Sequence, residues 1–280
     1  MPVAKPAGPT SHDVVDTVRR ALGVQRVGHL GTLDPFAEGL LVVVVGRATR
    51  LASCAGAWTK AYEGTIRLGV VTTTDDPTGE PVRTSEGWRG LDAAALGVAL
   101  ARFRGGYAQR PPLYSAVKVE GERAYRRARR GETPAPAPRE VAVYELELEA
   151  LALPDVRFRA VVGSGTYLRS LARDVGEALG CGAHLGALRR TSMGPFRLAE
   201  AVAPERVTTA DLRDPAVLVA DLPRRDLDAA ERDAAIHGRP LQGRGTGDGR
   251  RVALFADGEL VAVAEEEGDV LKPRVVVADA

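Results

Sequence analysis

The chain has 280 residues, 45% hydrophobic and 27% charged, a balance that excludes whole-chain disorder and collagen-like or membrane composition and fits one large domain or a large one with a small one. Its formal charge of +1 excludes a global positive field. Apolar runs such as Leu40 to Val45 fall far short of the roughly 18 residues of a membrane span. Met1 to Thr10 holds no signal-peptide core, so a cytoplasmic protein away from membranes is expected. Cys54 and Cys181 then read as reduced thiols. The C-x-x-H spacing of Cys181 and His184 lacks the further ligands of a zinc site, and no metal is expected.

Val14, Val15, Val18, Ala21 and Leu22 follow Thr10-Ser11 at helical spacing and precede Gly23, which predicts a capped helix over 11–22. Leu40 to Val45, between Gly39 and Gly46, predicts a buried strand, with Val27 to Gly39 as a loop held at both ends. Ala61 to Val70 reads as a strand, and Asp75 to Pro81 (DDPTGEP) as turn chemistry. The patterns then predict a helix over Leu91 to Phe103, a strand over Leu113 to Val119, a short basic helix over Glu122 to Arg130 and an extended connector over Thr133 to Arg139. Strands at Val141 to Leu151 and Val156 to Val162 and a helix over Tyr167 to Leu179 follow. Past Leu222 the texture changes to a helix from about Asp226 to Ile236, Gly-rich Gly238 to Gly249, and strands at Val252–Phe255, Leu260–Ala264 and Arg274–Val277. This predicts two domains, 1–221 and 222–280.

Charge is uneven along the chain. Ten Lys and Arg between Arg102 and Arg139 face only Glu120, Glu122 and Glu132, a local balance of +7, and five of the arginines lie between Arg123 and Arg130. Such a run suits an RNA-backbone clamp through Arg126, Arg127, Arg129 and Arg130, or else a solvated face.

The sharpest feature is Gly28-His29-Leu30-Gly31-Thr32-Leu33-Asp34-Pro35, continued to Gly39. Glycines around one carboxylate allow positive φ and close ligand approach, and Pro35 fixes the chain just after it. On the residues alone Asp34 is either an aimed carboxylate or part of an Asp-Pro turn.

This segment resembles the catalytic motif of the TruB-type tRNA pseudouridine synthases, which convert uridine 55 in the T arm of tRNA to pseudouridine. Lys5-Pro6-Ala7-Gly8 with Thr10-Ser11, Gly46-Arg47-Ala48-Thr49-Arg50, and Lys60-Ala61-Tyr62-Glu63 resemble further motifs of that family. So do Pro112 to Lys118 with Gly121 and Tyr125, Gly165 to Leu171, and Gly180 to Leu185 with Leu188-Arg189-Arg190, in order over about residues 5 to 200. Ala4 stands where the family commonly has Asp, and the chain starts almost at this motif, which implies a shortened first strand. The region beyond Leu222 resembles a PUA-type RNA-binding module more loosely.

The resemblance implies an α+β fold: a pseudouridine-synthase domain with a mixed, mainly antiparallel sheet flanked by helices and a basic insertion at about 105–139, plus a small C-terminal PUA-like β domain. It implies a tRNA pseudouridine(55) synthase, an isomerase that needs no cofactor, acts on the T stem-loop of tRNA and works as a monomer. Asp34 would act covalently with Arg169 as its cationic partner. Tyr62 would stack on the uracil, Tyr167 and Leu188 would line its pocket, and His29 would contact RNA. Without that context Arg169 reads as a solvated helix residue and Tyr62 as a core aromatic. A glycosidase-like hydrolase would need a second carboxylate about 5 to 9.5 Å away, for which Glu38 and Asp174 are the candidates. A non-catalytic RNA-binding protein would need no aimed carboxylate at all.

Overall fold

The computed structural model describes residues 1–115, 118–119, 122–123, 127, 130, 132, 136–243 and 249–279. Helix α1 (Ser11–Leu22) begins where its cap chemistry places it: the Thr10 hydroxyl accepts the Asp13 N–H at 3.1 Å, the Asp13 carboxylate accepts the Thr10 N–H at 2.8 Å, and Gly23 at φ 65° ends the helix. Helix α2 (Ala93–Ala101) is capped by Asp92, and α3 (Leu168–Ala178) and α4 (Ala229–Ile236) complete the set of described helices used below.

The strands of the larger part are β1 (Pro2–Lys5), β2 (Val27–Leu30), β3 (Glu38–Val45), β4 (Lys60–Leu68), β5 (Val70–Thr72), β6 (Pro81–Thr84), β7 (Gly105–Gln109), β8 (Lys118–Val119), β9 (Glu122–Arg123), β10 (Arg139–Ala152), β11 (Asp155–Val162), β12 (Ala183–Met193) and β13 (Phe196–Arg197). Nine of them form one sheet in the order β1-β3-β12-β4-β11-β10-β7, with β2 on β3 and β13 on β12. Only β12 and β3 pair in parallel there, so the sheet is mixed and mainly antiparallel, as expected. The second sheet has five strands, β14 (Arg224–Asp226), β15 (Leu241–Gln242), β16 (Arg251–Ala256), β17 (Glu259–Glu267) and β18 (Val270–Val276), in the order β14-β16-β17-β18-β15. With α4 it makes the small PUA-like β unit.

Several local expectations need correction. Val27 to Leu30 is strand β2, because Leu30 pairs in register with Val42, and the loop starts only at Gly31. The strand expected over Ala61 to Val70 breaks at Gly69, φ 78°, which sends β5 into a separate hairpin with β6. Leu113 to Ser115 are bends, not strand, and Glu122–Arg123 form β9, not the start of a helix. The rest of that basic helix, and Thr133 to Ala135 of the connector, lie largely outside the described residues. The short first strand pairs over its whole length, Pro2 with Val42 through Lys5 with Gly39.

Burial explains how the layers hold together. On one face of the sheet Ile66, Phe158 and Leu185 pack with Leu96 and Leu100 of α2 and Leu171 and Val175 of α3. Val14 and Val18 of α1 close over Val3, Leu41 and Val43. Leu40, Val42 and Phe196 share a cluster with Phe255, Leu260 and Val263, so apolar contact runs between the two sheets. Burial of each such aliphatic or aromatic side chain contributes on the order of 2 kcal/mol.

The parallel step between β3 and β12 depends on one missing side chain. Gly39 sits at φ 105°, and a Cβ there would lie 2.4 Å from the Arg190 carbonyl oxygen and 2.7 Å from its nitrogen. Backbone strain of this kind costs of order 1 to 3 kcal/mol before the overlap is counted. Gly39→Ala should therefore lower Tm by roughly 4 °C or more; an unchanged melting curve would show that the strands can part there without cost.

Candidate active site

The loop that carries Asp34 is gripped from three directions. Lys5 is buried, and its ammonium donates to the carbonyls of Ala37 at 2.6 Å, Pro6 at 2.9 Å and Pro35 at 3.2 Å. Ser11, the first residue of α1, uses one hydroxyl to donate to the Leu33 carbonyl and accept the Leu33 N–H, both at 2.9 Å. Arg190 of β12 donates to Leu40 O at 2.7 Å and Gly31 O at 2.8 Å, which fixes both ends of the loop. The N-terminal motif and the Leu188-Arg189-Arg190 segment thus act as the mould of the Asp34 loop.

Asp34 meets Arg169 from α3. The Arg169 Nη2 donates to Asp34 Oδ1 at 3.2 Å, while Nε lies 2.9 Å from Oδ2 as an ion-pair contact not aligned as a hydrogen bond. Arg169 is 6% exposed and held by three further groups: Thr74 O at 3.1 Å, Tyr114 O at 2.9 Å and the Asp76 carboxylate at 3.4 Å. Asp76 is held in turn by the Thr74 hydroxyl at 2.6 Å, the Thr78 hydroxyl at 2.5 Å and the Thr78 N–H at 2.9 Å. The segment read as plain turn chemistry is therefore the support behind the guanidinium. Ahead of α3, the buried Gln109 carboxamide accepts the Tyr167 N–H at 2.8 Å and donates to Tyr167 O at 3.1 Å. It pairs with Tyr167 as a neighbouring strand would.

Burial pushes the Asp34 carboxyl above the usual carboxylate range; Arg169 pulls it back most strongly, Asp76 raises it, and Lys5 lowers it. Among the described residues Asp34 is the one carboxylate lining a cleft of about 270 Å3. Tyr62 of β4, Tyr167, Arg169 and Leu188 of β12 line it too, together with Lys60, Tyr114 and Arg190. Of the expected site residues the structure brings together Asp34, Tyr62, Arg169, Tyr167 and Leu188.

The others lie elsewhere. His29 sits on β2 and does not line the cleft; its Nδ1 is buried without a hydrogen-bond partner among the described residues, and burial with the Arg190 charge holds its pKa below the ordinary histidine value. Arg126 and Arg129 fall outside the described residues. Arg127 pairs with Glu132 at 2.6 Å, and Arg130 with Glu122 at 2.7 Å and Glu132 at 2.8 Å. Of the two candidate second carboxylates, Glu38 is exposed and faces Arg189 at 3.7 Å, while Asp174 pairs with Arg173 at 2.9 Å and lines a different cavity. Asp76, Gln109 and Arg190 were not assigned a role from the sequence. For Asp76 the signal was present in Thr74 and Thr78, two hydroxyls flanking a carboxylate; for Arg190 the contacts are too distant in sequence to leave one.

A family description, "TruB family pseudouridylate synthase (N terminal domain)", matches residues 19–168, more than half of the chain. The chain belongs to the TruB family. Two further descriptions match the C-terminal part: "tRNA pseudouridylate synthase B C-terminal domain" over residues 169–229 and "tRNA Pseudouridine synthase II, C terminal" over 222–278. Proteins named tRNA pseudouridine synthase B resemble this TruB chain along its length. That of Thermobifida fusca is 45% identical over 99% of this chain and 97% of its own, and that of Burkholderia pseudomallei 42% identical over 99% and 96%. Among solved structures, an archaeal box H/ACA sRNP Nop10-Cbf5 complex matches at a TM-score of 0.74 and 25% identity, covering 99% of this chain and 85% of the other. A Cbf5-Nop10-Gar1 complex matches at 0.74 and 27%, covering 99% and 84%.

The Arg169 charge is what opposes the burial of Asp34, so its removal has a defined sign. Arg169→Gln should raise the Asp34 pKa further and, for a rate carried by the Asp34 carboxylate, move the acidic limb of the rate-pH profile to higher pH. Rates measured from pH 5 to 9 would test this; a limb that stays in place would mean that Asp34 ionisation does not control the rate.

Proposed function

We propose that this chain converts uridine 55 in the T arm of tRNA to pseudouridine, with Asp34 acting covalently. The observation that carries the reading is the Asp34 carboxylate held by the Arg169 guanidinium in a cleft walled by Tyr62, Tyr167 and Leu188. The reaction breaks the N1–C1′ bond, turns the uracil and makes a C5–C1′ bond. The proton lost from C5 is balanced by the one gained at N1, so no redox partner is needed and no water is consumed.

Each neighbour has a physical task. A uridine in the folded T loop must leave its stack, at a few kcal/mol, and stacking on an aromatic ring such as Tyr62 returns about 1 to 3 kcal/mol. Tyr167 and Leu188 close the apolar sides of the pocket, and His29, on β2, contacts the RNA. The basic insertion supplies phosphate contacts: the Arg127 and Arg130 ion pairs are with partly exposed glutamates, and such pairs, weakened by water, exchange readily for phosphate. Residues 222–280 act as the RNA-binding unit, and the enzyme works as a cytoplasmic monomer. A hydrolase reading is disfavoured, because neither Glu38 nor Asp174 shares the cleft with Asp34.

Release of tritium from tRNA labelled at uracil C5 tests the reaction directly. Asp34→Asn keeps the shape and removes the charge, and should slow release by at least about a thousandfold while tRNA binding persists. Release by that variant at a tenth of the native rate would remove Asp34 from the covalent role. Tyr62→Phe keeps the stacking face and should bind T-arm RNA nearly as well as the native chain, whereas Tyr62→Leu should bind more weakly. Equal affinities for all three in a filter-binding assay would count against stacking.

A further inference from the structure

Two cations in the cleft wall have no part in the scheme above. Arg190 is fully buried; Nε and Nη2 are spent on the Leu40 and Gly31 carbonyls, but Nη1 is buried with no hydrogen-bond partner. Lys60 is half-buried at the start of β4 and lines the same cleft. Among the described residues no carboxylate pairs with Lys60. Burial lowers the Lys60 pKa, and the neighbouring Arg190 charge, of the same sign, lowers it further.

Two like charges and an unused N–H donor in a partly desolvated wall are unfavourable by themselves. An anion arriving beside Lys60 relieves the repulsion and gives Lys60 the partner it lacks. Its chemical class follows from position. Lys60 and Tyr62 are alternate residues of one strand, so their side chains lie on the same face about 6.5 Å apart, comparable with the span from a nucleobase to its own phosphate.

We propose that Lys60 and Arg190 bind a phosphodiester that adjoins the uridine whose base enters the cleft. Lys60 meets the phosphate as a compact point charge, and Arg190, buried deeper in the wall, adds its field. The contact fixes the backbone of the extruded nucleotide while Tyr62 holds its base, so that C1′ is presented to Asp34. The inference rests on reading the cleft as the uridine site.

The test uses T-arm RNAs that carry a single neutral methylphosphonate on the 5′ or the 3′ side of the target uridine, bound by the native chain, Lys60→Gln and Lys60→Arg. One of the two neutral linkages should weaken native binding by about tenfold at low salt, the loss of one charge-assisted contact. Lys60→Gln should bind the unmodified RNA about tenfold more weakly and lose nothing further from that linkage, and Lys60→Arg should behave as the native chain does. The RNA changes leave the protein's fold untouched. If neither linkage weakens native binding, or if Lys60→Gln suffers the same loss as the native chain, the assignment is overturned. Tritium release from the unmodified RNA separates the two readings: release without the linkage effect overturns the phosphate site alone, and no release by the native chain overturns the uridine site with it.

Discussion

The structure turns on setting one carboxylate against a guanidinium in a place that disfavours charge. Asp34 is sheltered enough for burial to raise its pKa, and the opposing influence of greatest weight is Arg169. A buried guanidinium is itself costly unless its donors are satisfied. Arg169 meets this by spreading its contacts over Asp34, Asp76 and the carbonyls of Thr74 and Tyr114. The hairpin of β5 and β6, the Tyr114 segment of the basic insertion and helix α3 therefore converge on one side chain.

The other half of the site is built on the same principle with a different cation. Lys5, 2% exposed, has no carboxylate in hydrogen-bond contact; its three donors go to three backbone carbonyls, two of them in the Asp34 loop. A lysine used this way is a cross-link, and it holds β1 and the loop at fixed separation. Burial lowers its pKa, with Asp34 as the largest opposing charge. The N-terminal strand, short as it is, is thus tied to the chemistry by backbone geometry and by charge.

Much of this was legible in the sequence and some was not, for physical reasons. Helix α1 could be read because a capping box and an apolar stripe are local signals, and β3 because a fully buried strand has no polar face to confuse it. Strand β12 was missed: Arg189 and Arg190 break its apolar pattern, and irregular pairing between Leu185 and Ala187 and between Arg190 and Ser192 shifts its faces. The Asp34–Arg169 pair spans 135 residues, so no spacing rule contains it; only the resemblance to TruB-type motifs suggested it. Gln109 and Asp76 act through backbone atoms and a shared guanidinium, and such contacts leave no periodicity.

Two carboxylates touch Arg169, and the structure distinguishes them by what fills their remaining valences. Asp76 is 4% exposed, and its oxygens are taken up by Thr74, Thr78 and Arg169. It can neither meet a substrate nor approach one without breaking those bonds. Asp34 keeps 34% of its side chain exposed, and among the described residues its side chain meets Arg169 alone, so lone pairs remain on the cleft side. The same guanidinium thus anchors one acid as scaffold and leaves the other open to the cleft. Moving the hydroxyls from Asp76 to Asp34 would leave every charge in place and close that opening, which is why the threonines at 74 and 78, far from Asp34 in sequence, belong to the logic of the site.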